Sequence, residues 1–172
     1  MNAQPMEHIE TERLHLRTVT EADAAIVRLI NGDEFQTDEA AMDYIRWMKN
    51  PGRLLIIFYI RLRLTEQCIG RVYIHAKPEI NDEVEIGYSV LEEYRNQGYA
   101  TEAAAAVVKF AFEQAGQEVL CAIVKPENIA SRRVIEKLGF KTRDICIAPD
   151  ENNQNCEFDC FQLHRDSLEE LL

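Results

Sequence analysis

Long apolar runs are missing from this sequence. The longest, Leu54–Ile60, is far too short to cross a bilayer, so no membrane-spanning helix is expected. No secretory leader is expected either, because Met1–Arg13 is polar and acidic and has no apolar centre. A cytoplasmic protein with no membrane partner is the expectation. Positive charge is scarce: 19 Lys and Arg stand against 30 Asp and Glu, a formal net charge of −11. A phosphate backbone would be repelled by that balance, so no nucleic-acid partner is expected. A cationic amine or basic peptide suits it, and so does simple solubility. Histidine is sparse, and His8, His15, His75 and His164 are dispersed. The five cysteines are odd in number and scattered among apolar segments. Free buried thiols are therefore expected, with neither a disulfide framework nor a metal site. Repeats and low-complexity linkers are absent too. One domain over residues 1–172 is expected, with 1–8 as a loose tail.

What is present is enough apolar material for a core, 47% of residues. Alternation marks a strand at Arg13–Arg17. Thr20, with Asp23 three residues on, reads as a capping box for a helix with Ala22, Ala25, Ile26, Leu29 and Ile30 as its apolar stripe. A second helix starts near Thr37 or Asp38, buries Ala41, Tyr44, Ile45 and Met48, and stops at Pro51-Gly52. Strands follow at Leu54–Leu64, Cys68–His75 and Glu83–Val90. A helix over Ala100–Ala115 carries Ala104, Val107, Val108, Ala111 and Phe112 at helical spacing. Val119–Val124 is a buried strand, Ile129–Leu138 a helix, and Lys141–Ala148 with Glu157–His164 a hairpin. The strand–helix–strand unit at Glu83–Val124 implies parallel pairing with a right-handed crossover. The other connections favour antiparallel pairs, hence an α/β (α+β) mixed sheet with helices on both faces.

Chemistry concentrates in Arg95-Asn96-Gln97-Gly98-Tyr99-Ala100, between a strand and a helix. A helix start leaves backbone N–H groups without partners and carries a partial positive charge. Phosphate oxygens satisfy both needs. Gly98 permits unusual dihedrals and close approach, Ala100 is small, and Arg95 adds a permanent charge. A Walker loop is ruled out, since no Gly-Lys-Ser/Thr follows. The three spaced glycines of a dinucleotide fingerprint are absent as well.

A second segment extends the first. Asn128-Ile129-Ala130-Ser131 opens the next helix, and Glu136-Lys137-Leu138-Gly139-Phe140 closes it. Together the two segments resemble the GNAT acyltransferase superfamily, with its pyrophosphate loop and its Asn-x-x-Ser/Ala helix. The opening Ile9-Glu10-Thr11-Glu12-Arg13-Leu14-His15-Leu16-Arg17 is similar to the ribosomal-protein N-terminal (alanine/serine) acetyltransferase branch, and so is Glu85-Ile86-Gly87-Tyr88. The resemblance spans roughly Ile9 to Phe161. It implies a mixed, mostly antiparallel sheet of about seven strands flanked by about four helices, with the fourth and fifth strands parallel and splayed. It further implies an N-acetyltransferase that moves the acetyl group of acetyl-CoA to a primary amine by direct attack, with no metal. The amine belongs to a protein N-terminus or a small molecule. A homodimer is common in the superfamily. An acyl-CoA-binding sensor or interaction module on the same fold is the alternative.

The resemblance also assigns residues. Tyr88, Ser89 and Val90 would offer backbone groups to the pantetheine, and an N–H near Val90 would polarise the thioester carbonyl. Arg95, Asn96, Gln97, Gly98, Tyr99, Ala100 and Thr101 would hold the pyrophosphate, and Asn128 the pantetheine or acetyl region. Glu85 matches the general base of histone-acetylating members, or it is a structural or acceptor-binding acid; Glu83 is the nearest substitute. The tyrosine that many members use as an acid falls at Ile135, so that acid is missing. Ser131 would bond the sulfur, or it is an ordinary capping residue. From the basic stretch Lys125, Arg132, Arg133, Lys137, Lys141 and Arg143, the residues expected on the 3′-phosphate are Arg132, Arg133 and Lys137. Asp33, Glu34, Asp38, Glu39 and Asp43 are expected to steer a cationic acceptor.

Overall fold

Period-two patterning builds a ladder of strands, and two pairs of helices close over its faces. The computed structural model describes residues 8–50, 54–77, 83–149 and 154–168. The strands are β1 (His8–Glu10), β2 (Leu14–Arg17), β3 (Leu55–Leu62), β4 (Cys68–Lys77), β5 (Glu83–Val90), β6 (Val119–Val124), β7 (Lys141–Pro149) and β8 (Asn155–His164). The helices are α1 (Ala24–Asn31), α2 (Asp38–Met48), α3 (Tyr99–Glu113) and α4 (Ile129–Lys137). The sheet runs β1-β2-β3-β4-β5-β6-β8-β7, and every neighbouring pair is antiparallel except β5 with β6. The fourth and fifth strands expected from the sequence are therefore β5 and β6, and they do run parallel. None of the helices among the described residues is long and apolar enough to cross a membrane.

One face of the sheet packs on α3 and α4. Ala103, Ala104 and Ala111 are fully buried there, so the helix axis can come close to Ile74, Ile86 and Leu120. Phe58 and Phe110 meet edge to face at 5.5 Å. Burying one such large side chain stabilises the fold by roughly 1.5–3 kcal/mol. The opposite face packs on α1 and α2 through Val27, Ala41, Ile45, Ile57 and Tyr59. Thr37 caps α2 as expected, accepting from the Ala40 N–H at 3.1 Å.

Four sequence expectations change. The sheet has eight strands, because His8–Glu10 pairs with β2 through Ile9 and Leu16. His8 is thus not tail, and residues 1–7 lie outside the described set, as do Pro51, Gly52 and most of the β7–β8 turn. The α1 stripe is rotated: Ala24 and Val27 are buried, whereas Leu29 is 58% exposed. A 3-10 turn at Glu21–Asp23 precedes the α-helix, and its tighter winding shifts the phase of everything after it. The Thr20–Asp23 box caps that turn, with the Asp23 carboxylate accepting from the Thr20 N–H at 2.9 Å. Finally, not all thiols are free. Antiparallel pairing puts Cys146 of β7 diagonally across from Cys160 of β8, Cα to Cα 6.1 Å, and the two are joined. Cys68, Cys121 and Cys156 are not in disulfides.

Candidate active site

The parallel pair is held at a single point, Glu85 with Cys121. Beyond it the strands diverge. The gap is a cleft of about 510 Å³, lined by Glu85–Tyr88 of β5, Ala122–Val124 of β6, and Lys125, Asn128, Ser131 and Ile135 around the start of α4. Tyr73, Pro149 and Phe158 close its other side. Backbone groups that would be paired in a continuous sheet are turned toward this gap, and such groups demand partners.

The loop before α3 leads on from the end of β5, and none of Arg95–Thr101 lines the cleft. Gly98 is the N-cap, with φ +82°, a backbone that L side chains seldom adopt. A Cβ there would also come within 3.3 Å of Arg13 Nη2. Because glycine offers no capping side chain, the amides opening α3 have no side-chain cap, and Glu102 N–H donates to Gly98 O at 3.0 Å. Asn96 also has positive φ, +60°, which tightens the turn. Gln97 is pinned twice: its side chain donates to Glu93 O at 3.0 Å, and its carbonyl accepts from Arg13 Nη1 at 3.0 Å. Arg95 donates from Nε to the Val90 carbonyl at 3.1 Å, so its stem is folded back on the strand end. Tyr99, Ala100 and Thr101 make up the first turn of α3, with the Tyr99 ring under the Arg13 guanidinium at 4.5 Å.

Glu85 is the one buried charged side chain of the described core, 6% exposed, and it faces the cleft. His75 of β4, its register partner, places Nε2 3.0 Å from Glu85 Oε2. Tyr73 lies across Gly87, where any Cβ would collide with its ring, so the glycine makes room for the aromatic floor. Burial, together with the Glu85 charge, pushes the Tyr73 hydroxyl up to about 12. Tyr88 leaves β5 on the other face and donates to Ser131 O at 3.0 Å, with Ser131 Oγ at 3.1 Å. Burial takes its hydroxyl to about 12 as well, against the pull of the Ser131 bond, so it stays protonated at neutral pH. Asn128 caps α4, its Oδ1 accepting from the Ser131 N–H at 3.0 Å. Ile135, 1% exposed, lines the cleft.

Some expected site residues are elsewhere. Ser89 and Val90 do not line the cleft; Ser89 is exposed opposite Arg71, and Val90 is buried. Arg132 is turned from solvent onto β8, paired with Asp159 and lying over the Phe161 ring at 5.4 Å. Arg133 and Lys137, one helical turn apart, are exposed on α4. Glu83 is no free base, since Arg143 grips both its oxygens at 2.7 and 2.8 Å. The acidic helical region is partly neutralised: Arg28 holds Asp38 at 2.7 Å and Arg46 holds Asp43 at 2.8 Å. Glu34 and Glu39 stay exposed. Tyr73, His75 and Phe158 were not anticipated. The only sequence signal for His75 is its place on a strand whose pairing register a single chain does not reveal.

A parallel pair that forks over a helix N-terminus, inside an otherwise antiparallel sheet, defines an acyltransferase architecture. Residues 13–141 match the acetyltransferase (GNAT) domain, and the chain belongs to that family of enzymes. It is 30% identical to the uncharacterized N-acetyltransferase YoaA of Bacillus subtilis (strain 168), over 80% of this chain and 84% of that relative. Its fold is like that of the ribosomal-protein-S5-alanine acetyltransferase from Vibrio fischeri, with a TM-score of 0.77 at 19% identity over 94% of this chain and 98% of that one. It is equally like RimL, a ribosomal L7/L12 α-N-protein acetyltransferase solved in complex with coenzyme A, with a TM-score of 0.77 at 17% identity over 94% and 99% of the two chains.

Proposed function

We propose that the chain transfers the acetyl group of acetyl-CoA to a primary amine, on a protein N-terminus or a small molecule, by direct attack. The observation that carries this reading is the fork: a buried carboxylate at its base, a cleft beyond it, and, on the chain leading on from β5, a helix start without a side-chain cap. The fit to CoA is good on these grounds. The amides of Gln97–Thr101, with Arg95 beside them, would take the pyrophosphate. Tyr88 and its β5 neighbours would pair with the pantetheine along the open strand edge, with Asn128 across the gap. Arg133 and Lys137 would meet the 3′-phosphate.

The thioester supplies an activated acyl carbon. The chain's own task is to deprotonate an amine that is mostly charged at neutral pH. Glu85 accepts that proton at a carboxylate oxygen. Ser131 Oγ, 3.1 Å from the Tyr88 hydroxyl oxygen, would turn its O–H from that oxygen to the departing sulfur, a role that Ile135 cannot fill. A homodimer is the expected assembly at the level of the family.

Thiol release from acetyl-CoA, measured across a panel of N-terminal peptides and small amines, tests the reading. Glu85→Gln should lower kcat by about 10²-fold or more while acetyl-CoA binding by calorimetry is unchanged. A fully active Glu85→Gln enzyme refutes the role of Glu85, and CoA binding with no thiol release across the panel leaves the sensor reading.

A further inference from the structure

A base that cannot shed its proton works once. Glu85 is 6% exposed and faces the cleft that acceptor and thioester would fill, so its route to bulk water is poor. Beside it stands a side chain of the right kind. His75 Nε2 lies 3.0 Å from Glu85 Oε2, and the histidine side chain is 30% exposed where that of the glutamate is 8%. The pairing is set by backbone register, His75 opposite Glu85 in the β4–β5 ladder. The ring is braced by Tyr73, edge to face at 5.5 Å. The dyad thus runs from the cleft to solvent.

We propose that His75 is the positioning residue of Glu85 and the outlet for its proton, a reading that rests on Glu85 as the base. At rest His75 Nε2–H donates to the Glu85 carboxylate, and Nδ1 carries the ring's lone pair. The amine gives one proton to the Glu85 carboxylate as its nitrogen attacks. With the carboxyl neutral, the ring moves its hydrogen from Nε2 to Nδ1 through water, and Nε2 then takes the carboxyl proton, which restores the carboxylate and makes an imidazolium. The imidazolium gives its Nδ1 proton to water, which leaves Nε2–H donating to the carboxylate as at the start. Proton count and charge balance at every step, and no oxidant or metal enters.

The groups around His75 leave the exchange to Glu85. On its own strand Tyr73 stays protonated to about 12, and Arg71 lies beyond it, 5.9 Å from that ring. On β5 the next acid, Glu83, is occupied by Arg143 of β7. On β3 the register partner is apolar Leu55. From the helical side, Tyr44 and Glu34 act on Tyr73. An imidazolium cannot accept a second proton, so turnover falls on the acid side, where the ring is already charged.

The test uses the full chain, acetyl-CoA and a serine-initiated peptide within the amine panel. His75→Gln keeps a donor for Glu85 Oε2 but cannot carry a proton. Its kcat should fall at least about tenfold, with acetyl-CoA affinity and melting temperature unchanged and the acid limb of the rate profile lost. His75→Ala should regain rate with added imidazole, which a merely structural histidine would not allow. A His75→Gln enzyme with wild-type kcat and pH profile overturns the proposal. Glu85→Gln separates the two readings: full activity there overturns the base itself, and loss there with an intact His75→Gln enzyme overturns only the outlet. No release by the wild-type chain across the panel overturns both.

Discussion

Removing the Glu102 carboxylate should loosen the loop before α3 and do so in a pH-dependent way. Glu102 sits in the first turn of α3. Its Oε1 accepts from Thr11 Oγ1 at 2.6 Å and from the Arg13 N–H at 2.9 Å, and its Oε2 accepts from Arg13 Nε at 2.6 Å. Arg13 then reaches the Gln97 carbonyl at 3.0 Å. One carboxylate therefore ties the approach to β2 to the proposed phosphate loop. Hydrogen bonds to charged groups contribute about 1.5–3 kcal/mol each in mutational series. The Arg13 side chain is 43% exposed, so water and salt screen its share, and the three bonds are not additive. About 2 kcal/mol for the whole latch is the reasonable figure for Glu102→Ala. For a chain of this size that lowers the melting temperature by about 4–8 °C. Burial opposes ionisation, but the bonds from Thr11 and Arg13 outweigh it and hold the carboxyl below its ordinary value of 4.5. A depressed folded value means stabilisation that is complete above 4.5 and is lost as pH falls through the folded value. The gap between wild type and Glu102→Ala should thus be widest at neutral pH and shrink on acidification below 4.5. Thermal melts of both proteins across that range decide it. Equal melting temperatures at neutral pH, or a gap that widens in acid, would refute the latch.

Two further substitutions probe the cleft. Gly87→Ala puts a methyl group into the Tyr73 ring and should destabilise by about 1–3 kcal/mol. Adding Tyr73→Ala should recover part of that loss, and a double-mutant cycle on melting temperatures reads the coupling. Asn128→Ala removes the cap on the Ser131 N–H, and should lower stability by about 1 kcal/mol and weaken CoA binding measured by calorimetry. Unchanged melting would show that the cap is idle.

Elements with strong local signals were legible in the sequence. Glu83–Val90 and Val119–Val124 begin and end where alternation and apolar runs place them, and Asn128 caps the helix it was expected to open. The loop with Gly98 could be found because helix starts are local chemistry. The rest depends on distance. Thr11 meets Glu102 across 91 positions, and His75 meets Glu85 only through a register that no periodicity encodes. The Cys146–Cys160 bond and the Arg132–Asp159 pair likewise follow from strand and helix placement. The α1 stripe failed for a smaller reason: three residues of 3-10 winding before the helix turn its apolar face.

The ladder between β5 and β6 ends at Glu85. The same residue is therefore anchored by its own main chain to a neighbouring strand and set at the rim of open space. Stiffness and access, which usually compete, are met by one position. Lengthening or shortening the hydrogen-bonded overlap by a residue would move the carboxylate relative to everything threaded between the strands. Substitutions along the two prongs would therefore reshape the cleft while the junction itself stays fixed.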